Sequence, residues 1–319
     1  MKKVTYGILG TGAIVERFVR AVEASSGGEV VALASRELEK AKRKAHELDI
    51  PKAYGSYEAL VKDENIQVVY VPTINKAHKE NALLALSHGK HVLVEKPMTL
   101  NIDDTKKLFE EAEKRGLFIM EAQKSLFLPV TLEGKRLLQE GLLGKIHLLE
   151  YDIYVPGVTF SWFYERAAGG GALLGSGNYI FCHAMDLLGE PFVDMSGMAT
   201  LGEEVDLESL FHLRSKSGVL LQGKITTLSH GESCCVIHGE KGKILIQDFW
   251  KARSLEVRLH EGEHFNIHHP VDYEMVYEIN HVNECIVQGV LESPVMTKDY
   301  SLASAVYMDT LYEHYYKEL

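Results

Sequence analysis

The chain has few cysteines, a deficit of basic charge and no long apolar runs. Only four of its 319 residues are cysteines, and 34 lysines and arginines stand against 45 aspartates and glutamates, for a net charge of -11. So few cysteines cannot form a disulfide framework in a chain of this length, which favours a reducing cytoplasmic location. An acidic surface argues against nucleic acid or an anionic membrane as partners. The chain has no run of about 18 apolar residues, so no membrane span is predicted.

Length and composition favour a globular protein of two domains. At 319 residues the chain exceeds the size at which a single hydrophobic core stops growing. Its 46% hydrophobic and 25% charged residues are typical of globular proteins. Apolar runs and helical patterns alternate over the first part of the chain, and this rhythm changes from Gln123. We therefore predict one domain at 1–121 and a second at 122–319.

The first domain opens with a strand, a glycine-rich turn and a helix. Val4–Leu9 is an apolar run that leads into Gly10-Thr11-Gly12, and apolar residues then recur at helical spacing from about Ala13. The glycines permit a tight turn and let the backbone approach a pyrophosphate, and the helix N-terminus attracts that anion. Val15 stands where the dinucleotide fingerprint has Gly or Ala, which weakens the match.

The end of the second strand bears on the choice of cofactor. Residues 30–34 are followed by Ser35-Arg36, about 25 residues after Gly10, where an acidic side chain would hold the ribose hydroxyls of NAD. A hydroxyl and a guanidinium suit the 2′-phosphate of NADP instead. We therefore predict NADP over NAD. The alternative is that Arg36 is a solvated residue that opens the next helix, and the neighbouring Glu37 supports that alternative.

Two further strands end in polar residues. The strand at 66–71 is followed by Pro72-Thr73-Ile74-Asn75 and His78, and the strand at 90–95 is followed by Lys96-Pro97. Such alternation predicts a parallel, doubly wound sheet of the Rossmann type. Because ligands bind outside the carboxyl ends of these strands, Lys96 would be delivered to the cofactor. The alternative for Glu95-Lys96-Pro97 is a surface turn with an ordinary ion pair.

These segments together resemble the Gfo/Idh/MocA family of nicotinamide-dependent oxidoreductases. The resemblance covers essentially the whole chain and includes Glu121-Ala122 and the glycine-rich segment 169–174. It implies that three groups of residues contact the cofactor: Gly10, Thr11, Gly12, Ala13 and Ile14 at the pyrophosphate, Ser35 and Arg36 at the adenosine end, and Pro72, Thr73, Asn75, His78, Glu95, Lys96 and Pro97 around the nicotinamide. The Lys96–Pro97 bond is often cis in this family.

The glycine-rich segment is similar to one branch of the family, which contains dihydrodiol dehydrogenases and NADP-dependent xylose dehydrogenases. That branch carries Gly-Gly-Gly-x-Leu-x-Asp-x-Gly-x-Tyr. This chain keeps the tyrosine at Tyr179 but has Gly175 in place of the aspartate. Other branches have His at the Tyr179 position and Asp where Cys182 stands. These departures bear on the chemistry and not on the fold.

The second domain is predicted to be α+β. Alternating segments such as 210–213 and 219–222 are typical of a half-exposed antiparallel sheet, and two helices, at about 274–288 and 302–317, end the chain. The family resemblance implies that this sheet is large, mostly antiparallel and open on one face. It also implies that the open face joins copies of the chain into a homodimer or homotetramer.

Hydride transfer at a carbinol carbon needs a group that takes the hydroxyl proton and a cation that stabilises the alkoxide. We predict Tyr179 and Lys96 as that pair, because a nearby ammonium favours the phenolate. The alternative for Tyr179 is a core tyrosine. His183 lies one helical turn later on the same face, where it could be the base, bind substrate or be a packed histidine. Further predicted substrate contacts are Asn178, Trp162 and Lys124, and Trp162 could equally be a packing residue.

One metal motif is rejected. His260-Glu261-Gly262-Glu263-His264 matches the zinc-protease pattern His-Glu-x-x-His, which needs both histidines on one face of a helix. Here Ser254–Leu259 alternates like a strand, and we predict a hairpin that turns at Gly262. No metal site is therefore predicted.

We expect an NADP-dependent oxidoreductase that acts on a sugar, a polyol or a related small hydroxy or keto compound. Two alternatives share the fold. The first is a catalytically silent, nucleotide-binding sugar sensor, which the Gly175 and Cys182 departures motivate. The second is an enzyme that cleaves glycosides by redox chemistry and whose bound cofactor does not turn over. Stoichiometric production or consumption of free NADPH separates the three.

Overall fold

The structure is a computed structural model that describes residues 3–316. Two compact units are present. The first consists of the chain up to Gln123 together with Tyr273–Leu302, and the second consists of Lys124–Asp272 together with the chain from Ala303. Within residues 3–316, no helix is both long and apolar enough to span a membrane.

Strands and helices alternate in the first unit. In chain order up to Gln123 they are β1 Val4–Leu9, α1 Ile14–Ala24, β2 Gly28–Ala34, α2 Leu38–Glu47, β3 Lys52–Tyr54, α3 Tyr57–Val61, β4 Val68–Val71, α4 His78–Ser87, β5 His91–Glu95, α5 Ile102–Arg115 and β6 Ile119–Ala122. Their sheet has the order β3-β2-β1-β4-β5-β6, with parallel pairing throughout. The order reverses beside β1, as in doubly wound sheets. The predicted Rossmann fold is confirmed.

The apolar strands follow from the parallel arrangement. Helices that connect parallel strands cover both faces of the sheet, so the strands are buried on both sides. All four residues of β4 are buried, as are Val92, Leu93 and Val94 of β5. Residues at the carboxyl ends of these strands are therefore held on a rigid scaffold.

A large mixed sheet dominates the second unit. Its elements from Lys124 to Asp272 are α6 Pro129–Gln139, β7 Ile146–Tyr154, α7 Ala172–Leu188, β8 Phe192–Leu201, β9 Asp206–Ser215, β10 Leu220–Thr226, β11 Cys234–Gly239, β12 Gly242–Gln247, β13 Ser254–Leu259 and β14 His264–His268. The strand order is β14-β13-β12-β11-β7-β10-β9-β8, and every neighbouring pair is antiparallel except β10 with β7. The predicted mostly antiparallel sheet is confirmed.

Only one face of this sheet is buried. Along β7, Leu149, Tyr151 and Ile153 are buried while the residues between them are partly exposed. The opposite face carries Met198, whose side chain is 71% exposed. The sheet is thus open on one side, as the family resemblance implied.

Two helices, α8 Val276–Gln288 and α9 Lys298–Tyr315, end the described chain. The predicted end of the last helix at Lys317 lies outside the described residues. Helix α8 packs on α1, β1 and β2 of the first unit. There the Tyr6 hydroxyl donates a hydrogen bond to Asn283 Oδ1 at 2.7 Å. Residues 273–302 therefore group with the first unit, whereas the boundary predicted from the sequence, at 121/122, places them in the second domain.

The segment that matches the zinc motif is a hairpin. Strands β13 and β14 pair antiparallel around Gly262, whose φ of 100° suits a glycine turn. Leu259 N donates to Glu263 O at 2.8 Å across the turn. The predicted hairpin is confirmed. Among residues 3–316, no group of three or more His, Cys, Asp or Glu side chains is placed to hold a metal ion.

Candidate active site

The glycine turn after β1 lets a ligand approach the protein backbone closely. Gly10 has a φ of 124°, in a region that favours glycine. A Cβ at Gly10 would lie 3.9 Å from the Pro72 carbonyl oxygen and 3.9 Å from the Tyr57 hydroxyl. Helix α1 follows, and Ala13 at its N-cap supplies no side-chain hydrogen bond to the first turn. The helix N-terminus is thus left for an external acceptor such as a phosphate.

Ser35 and Arg36 follow β2 beside this turn. Ser35 is buried, and its Oγ accepts a hydrogen bond from Glu37 N at 3.4 Å. Arg36 is exposed, and its guanidinium makes no hydrogen bond or ion pair within residues 3–316. Burial raises the pKa of the Tyr57 phenol, and the nearby Arg36 guanidinium partly offsets that rise. Gly10 N donates a hydrogen bond to Ala34 O at 2.9 Å, so the end of β2, which Ser35 and Arg36 follow, lies beside the glycine turn.

The loop after β4 borders the same turn. The Pro72 carbonyl oxygen lies 4.0 Å from the position of a Cβ on Gly12. Thr73 is partly exposed, and its Oγ1 accepts a hydrogen bond from Asn81 Nδ2 at 3.1 Å. Asn75 is buried and begins a short 3-10 turn that leads into α4. This loop, residues 72–75, lines the first unit where the glycine turn lies.

Lys96 lies in a turn after β5 that is held from several sides. The Lys96–Pro97 peptide bond is cis, as the resemblance implied. Glu95 Oε1 accepts a hydrogen bond from the Tyr70 hydroxyl at 2.6 Å, and Met98 N donates to Glu121 Oε1 at 2.8 Å. Pro97 and Met98 are buried and Lys96 is partly exposed. Burial of its neighbours separates this segment from an ordinary surface turn.

In the second unit, Tyr179 is partly exposed on α7. Its ring lies 6.1 Å from that of Trp250, at an interplanar angle of 26°. Lys124 Nζ is 5.9 Å from the centroid of the Tyr179 ring, within reach of a cation–π interaction. The structure thus brings together Tyr179 and Lys124, two of the predicted residues. Sequence reasoning missed Trp250, which no motif or spacing connects with Tyr179.

His183 is part of the core. Its Nδ1 lies 2.8 Å from the Tyr151 hydroxyl and its Nε2 3.4 Å from Thr131 Oγ1, and its side chain is fully buried. Burial lowers the pKa of His183 to about 3, so the ring is neutral at neutral pH. The structure therefore places His183 in the core, where the packed-histidine alternative expects it.

Asn178 is also structural. It is buried, its Nδ2 donates to Ser304 Oγ at 2.9 Å, and its Oδ1 lies 3.9 Å from the thiol of Cys182. This side chain joins α7 to α9, so the structure places it among the packing residues. Trp162 is partly exposed, with its ring 6.2 Å from that of Phe160 and nearly parallel to it.

The chain departs from branches of the family at two positions, Gly175 and Cys182, and the structure shows the surroundings of each. A Cβ at Gly175 would lie 3.5 Å from the Phe163 ring, an ordinary contact distance, so space does not demand glycine there. Cys182 is fully buried. The position at which other branches have an aspartate is therefore dry in this chain, and an unpaired carboxylate would be costly there.

A buried carboxylate anchors the helix that carries Tyr179. Asp206 Oδ2 accepts a hydrogen bond from Leu173 N, in the first turn of α7, at 2.7 Å. Burial raises the pKa of Asp206 to about 7, and the backbone N–H donors oppose that rise. A Cβ at Gly171 would lie 2.3 Å from Asp206 Oδ1, so this contact requires glycine. Sequence reasoning missed Asp206, because the cap comes from another strand and not from the residue before the helix.

The first unit therefore has the turn, helix terminus and strand-end lysine of a dinucleotide-binding oxidoreductase. Residues 4–123 match the family described as an oxidoreductase family with an NAD-binding Rossmann fold, and residues 131–245 match the Gfo/Idh/MocA C-terminal domain. The trans-1,2-dihydrobenzene-1,2-diol dehydrogenase of Xenopus laevis is 35% identical over 323 residues, which cover 97% of each chain. This chain belongs to the Gfo/Idh/MocA family of oxidoreductases, as its motifs predicted.

Solved structures with the same architecture include two enzymes. A 3-ketoreductase from Actinomadura kijaniata, in complex with NADP and TDP-benzene, is 25% identical, with a TM-score of 0.89 and 98% of each chain covered. An aldose-aldose oxidoreductase from Caulobacter crescentus, complexed with glycerol, is 23% identical, with a TM-score of 0.90 over 100% of this chain and 99% of that chain. At that lower identity the second likeness shows the fold alone.

Proposed function

We propose that the protein is an NADP-dependent dehydrogenase or reductase of a sugar, polyol or related small hydroxy or keto compound. The cofactor choice depends on Arg36, an exposed guanidinium without a hydrogen-bond or ion-pair partner among the described residues, beside the glycine turn. Guanidinium groups bind phosphate through paired, charge-assisted hydrogen bonds. The NADP complex of the Actinomadura 3-ketoreductase supports the same choice.

The residues present fit a dinucleotide. Gly10 to Ile14 and the uncapped N-terminus of α1 would hold the pyrophosphate, and Ser35 with Arg36 the adenosine end and its 2′-phosphate. Residues 72–75 and the turn at 95–97 would lie along the nicotinamide. When bound, the nicotinamide accepts or returns the hydride.

The chain's own residues would manage the proton and the charge. In the oxidation direction, Tyr179 takes the hydroxyl proton of the substrate while the Lys96 ammonium stabilises the negative charge that develops on that oxygen. In the reduction direction Tyr179 returns the proton to the carbonyl oxygen. Lys124 and Trp250, which lie against Tyr179, offer the cation and the aromatic face that suit a polyhydroxyl substrate.

Removal of the Arg36 side chain tests the cofactor assignment. NADPH binding to Arg36→Ala is expected to weaken about 10- to 100-fold, because hydrogen bonds to a charged group contribute about 1.5–3 kcal/mol. NADH binding should not change. Titration with each reduced cofactor, followed by nicotinamide fluorescence, gives both dissociation constants. The matched control is Arg43→Ala, an exposed arginine on α2. Preference of the wild type for NADH, or equal weakening of both cofactors, would refute the assignment.

A screen for turnover tests the reaction class. The purified protein is incubated with NADP or NADPH and a panel of sugars, polyols, small diols and glycosides, and the change in cofactor concentration is compared, mole for mole, with the product formed. Stoichiometric conversion supports a dehydrogenase or reductase. Product without any net change in free cofactor would instead indicate the glycoside-cleaving mechanism. Cofactor binding with no product from any substrate would favour the sensor.

We also propose that two or four copies associate through the open face of the large sheet. Met198 and Leu210 are directly paired across β8 and β9, and both are exposed on that face. Glutamates at both positions are expected to break the oligomer, because like charges would then be buried at the interface. Light scattering after gel filtration measures the mass. Leu132→Glu, at an exposed leucine on α6, is the control. An unchanged mass in the double variant would rule out this face.

A cytoplasmic location is the third part of the proposal. All four cysteines are free thiols, and Cys182, Cys235 and Cys285 are buried. Free thiols are usual in a reducing compartment. Cell fractionation tests this, and recovery of the protein outside the cytoplasm would contradict it.

A further inference from the structure

His78 connects two backbone segments of the first unit. It is the first residue of α4, and its side chain is fully buried. Its Nδ1 lies 2.8 Å from the carbonyl oxygen of Pro97 and its Nε2 lies 2.9 Å from the carbonyl oxygen of Thr73. Pro97 belongs to the lysine turn, residues 95–98, and Thr73 belongs to the 72–75 loop. One imidazole ring therefore spans both.

The chemistry of the ring fits a structural link. Both ring nitrogens lie at hydrogen-bond distance from a carbonyl oxygen, and a ring that carries both N–H groups donates to the two carbonyls at once, whereas a neutral ring donates to only one of them. Burial lowers the pKa of His78, and the hydrogen bonds to the Pro97 and Thr73 carbonyls and the Glu95 carboxylate oppose that shift. The side chain is fully buried, with a backbone carbonyl at each nitrogen. This setting differs from the direct cofactor contact expected of His78.

We propose that His78 is a positioning residue, whose ring fixes the lysine turn against the 72–75 loop and so sets where the Lys96 ammonium is delivered. The inference deepens the proposed function and rests on it, because it presumes that Lys96 acts on the substrate oxygen. A catalytic cation contributes only when it is held close to the charge that it stabilises.

Other contacts keep the turn folded when His78 is replaced. Glu121 is buried, and it accepts one hydrogen bond from Met98 N at 2.8 Å and another from Ser301 Oγ at 2.7 Å. Tyr70 donates to Glu95 at the other end of the turn at 2.6 Å. Loss of the His78 ring would therefore loosen the turn at Pro97 without dismantling it.

Two replacements of His78 in the full chain test the proposal. In His78→Leu, kcat is expected to fall about 10- to 100-fold, as for a small misplacement of a catalytic group. KM for the substrate and the dissociation constant for NADPH should change little. His78→Gln keeps an N–H donor and should recover part of kcat. His91→Gln is the control, since His91 lies at the opposite end of β5 and accepts from Phe118 N at 2.9 Å. It should lower thermal stability but not kcat.

A readout independent of turnover separates this inference from the proposed function. Acylation of Lys96 by a small reagent is followed by mass spectrometry, with the exposed Lys106 on α5 as the reference. The ratio of Lys96 to Lys106 labelling is expected to rise in His78→Leu. If the ratio rises while the wild type turns over no substrate, the positioning role stands and the proposed function fails. If His78→Leu keeps the wild-type labelling ratio, or is less stable with an unchanged kcat, His78 does not position the lysine.

Discussion

Lys96→Ala is expected to abolish hydride transfer while dinucleotide binding persists. The ammonium is proposed to stabilise the developing alkoxide, and removal of one such group typically lowers kcat about 10²- to 10³-fold. The contacts proposed for the pyrophosphate and the 2′-phosphate belong to the glycine turn and Arg36, which the substitution leaves in place. Steady-state kcat and fluorescence titration with NADPH, measured on the same preparation, check both halves of the expectation.

Two matched variants show whether the charge itself is responsible. Lys96→Met keeps a side chain of nearly the same length, with a sulfur in place of one methylene, and removes the ammonium, so it should be as inactive as Lys96→Ala. Lys106→Ala removes an exposed lysine from α5 and should turn over normally. Wild-type activity in Lys96→Ala would remove the lysine from the mechanism.

Tyr179→Phe is expected to lose turnover at almost no cost in stability. The substitution removes one oxygen atom and keeps the ring beside Trp250 and the Lys124 ammonium. Proton transfer by a positioned side chain contributes about 10²- to 10⁴-fold to rate, and a loss of that size in kcat is expected. Cofactor binding and the thermal midpoint should remain those of the wild type.

Tyr307→Phe should show the opposite pattern. The Tyr307 hydroxyl accepts a hydrogen bond from Phe192 N at 2.7 Å in a buried setting. Without it, that N–H loses its acceptor, which costs about 1–3 kcal/mol of stability. Activity should persist because Tyr307 is assigned no role in the chemistry. Normal turnover by Tyr179→Phe, or a large loss in Tyr307→Phe with no loss of stability, would mean that the wrong tyrosine was chosen.

Local patterns were enough to predict the parallel sheet and its glycine turn. A run such as Val68–Val71 is buried on both faces and so reads as a continuous apolar strand. Position 10 favours glycine because its φ of 124° is a backbone conformation that other residues rarely adopt. Strand β3 and helix α3 were missed, because three and five residues carry too little periodicity to be recognised.

The site was harder to predict, because burial depends on distant parts of the chain. Helical spacing correctly places His183 a turn after Tyr179, but it does not reveal what each part of the helix meets. Tyr151 and Phe249 enclose His183 from elements far away in sequence. Asn178 is likewise buried by Ser304, 126 residues later. The motifs therefore predict Tyr179 and Lys96, both partly exposed, whereas proximity in sequence to Tyr179 does not reveal that His183 and Asn178 are buried.

The return of α8 to the first unit makes the nucleotide-binding module discontinuous. Tyr273–Leu302 completes that module after the whole of Lys124–Asp272 has intervened. An N-terminal fragment that ends at Gln123 would lack Asn283, and the buried Tyr6 hydroxyl would lose its acceptor. Transplanting the whole unit between relatives would therefore require two separated stretches of gene, one up to Gln123 and one for Tyr273–Leu302.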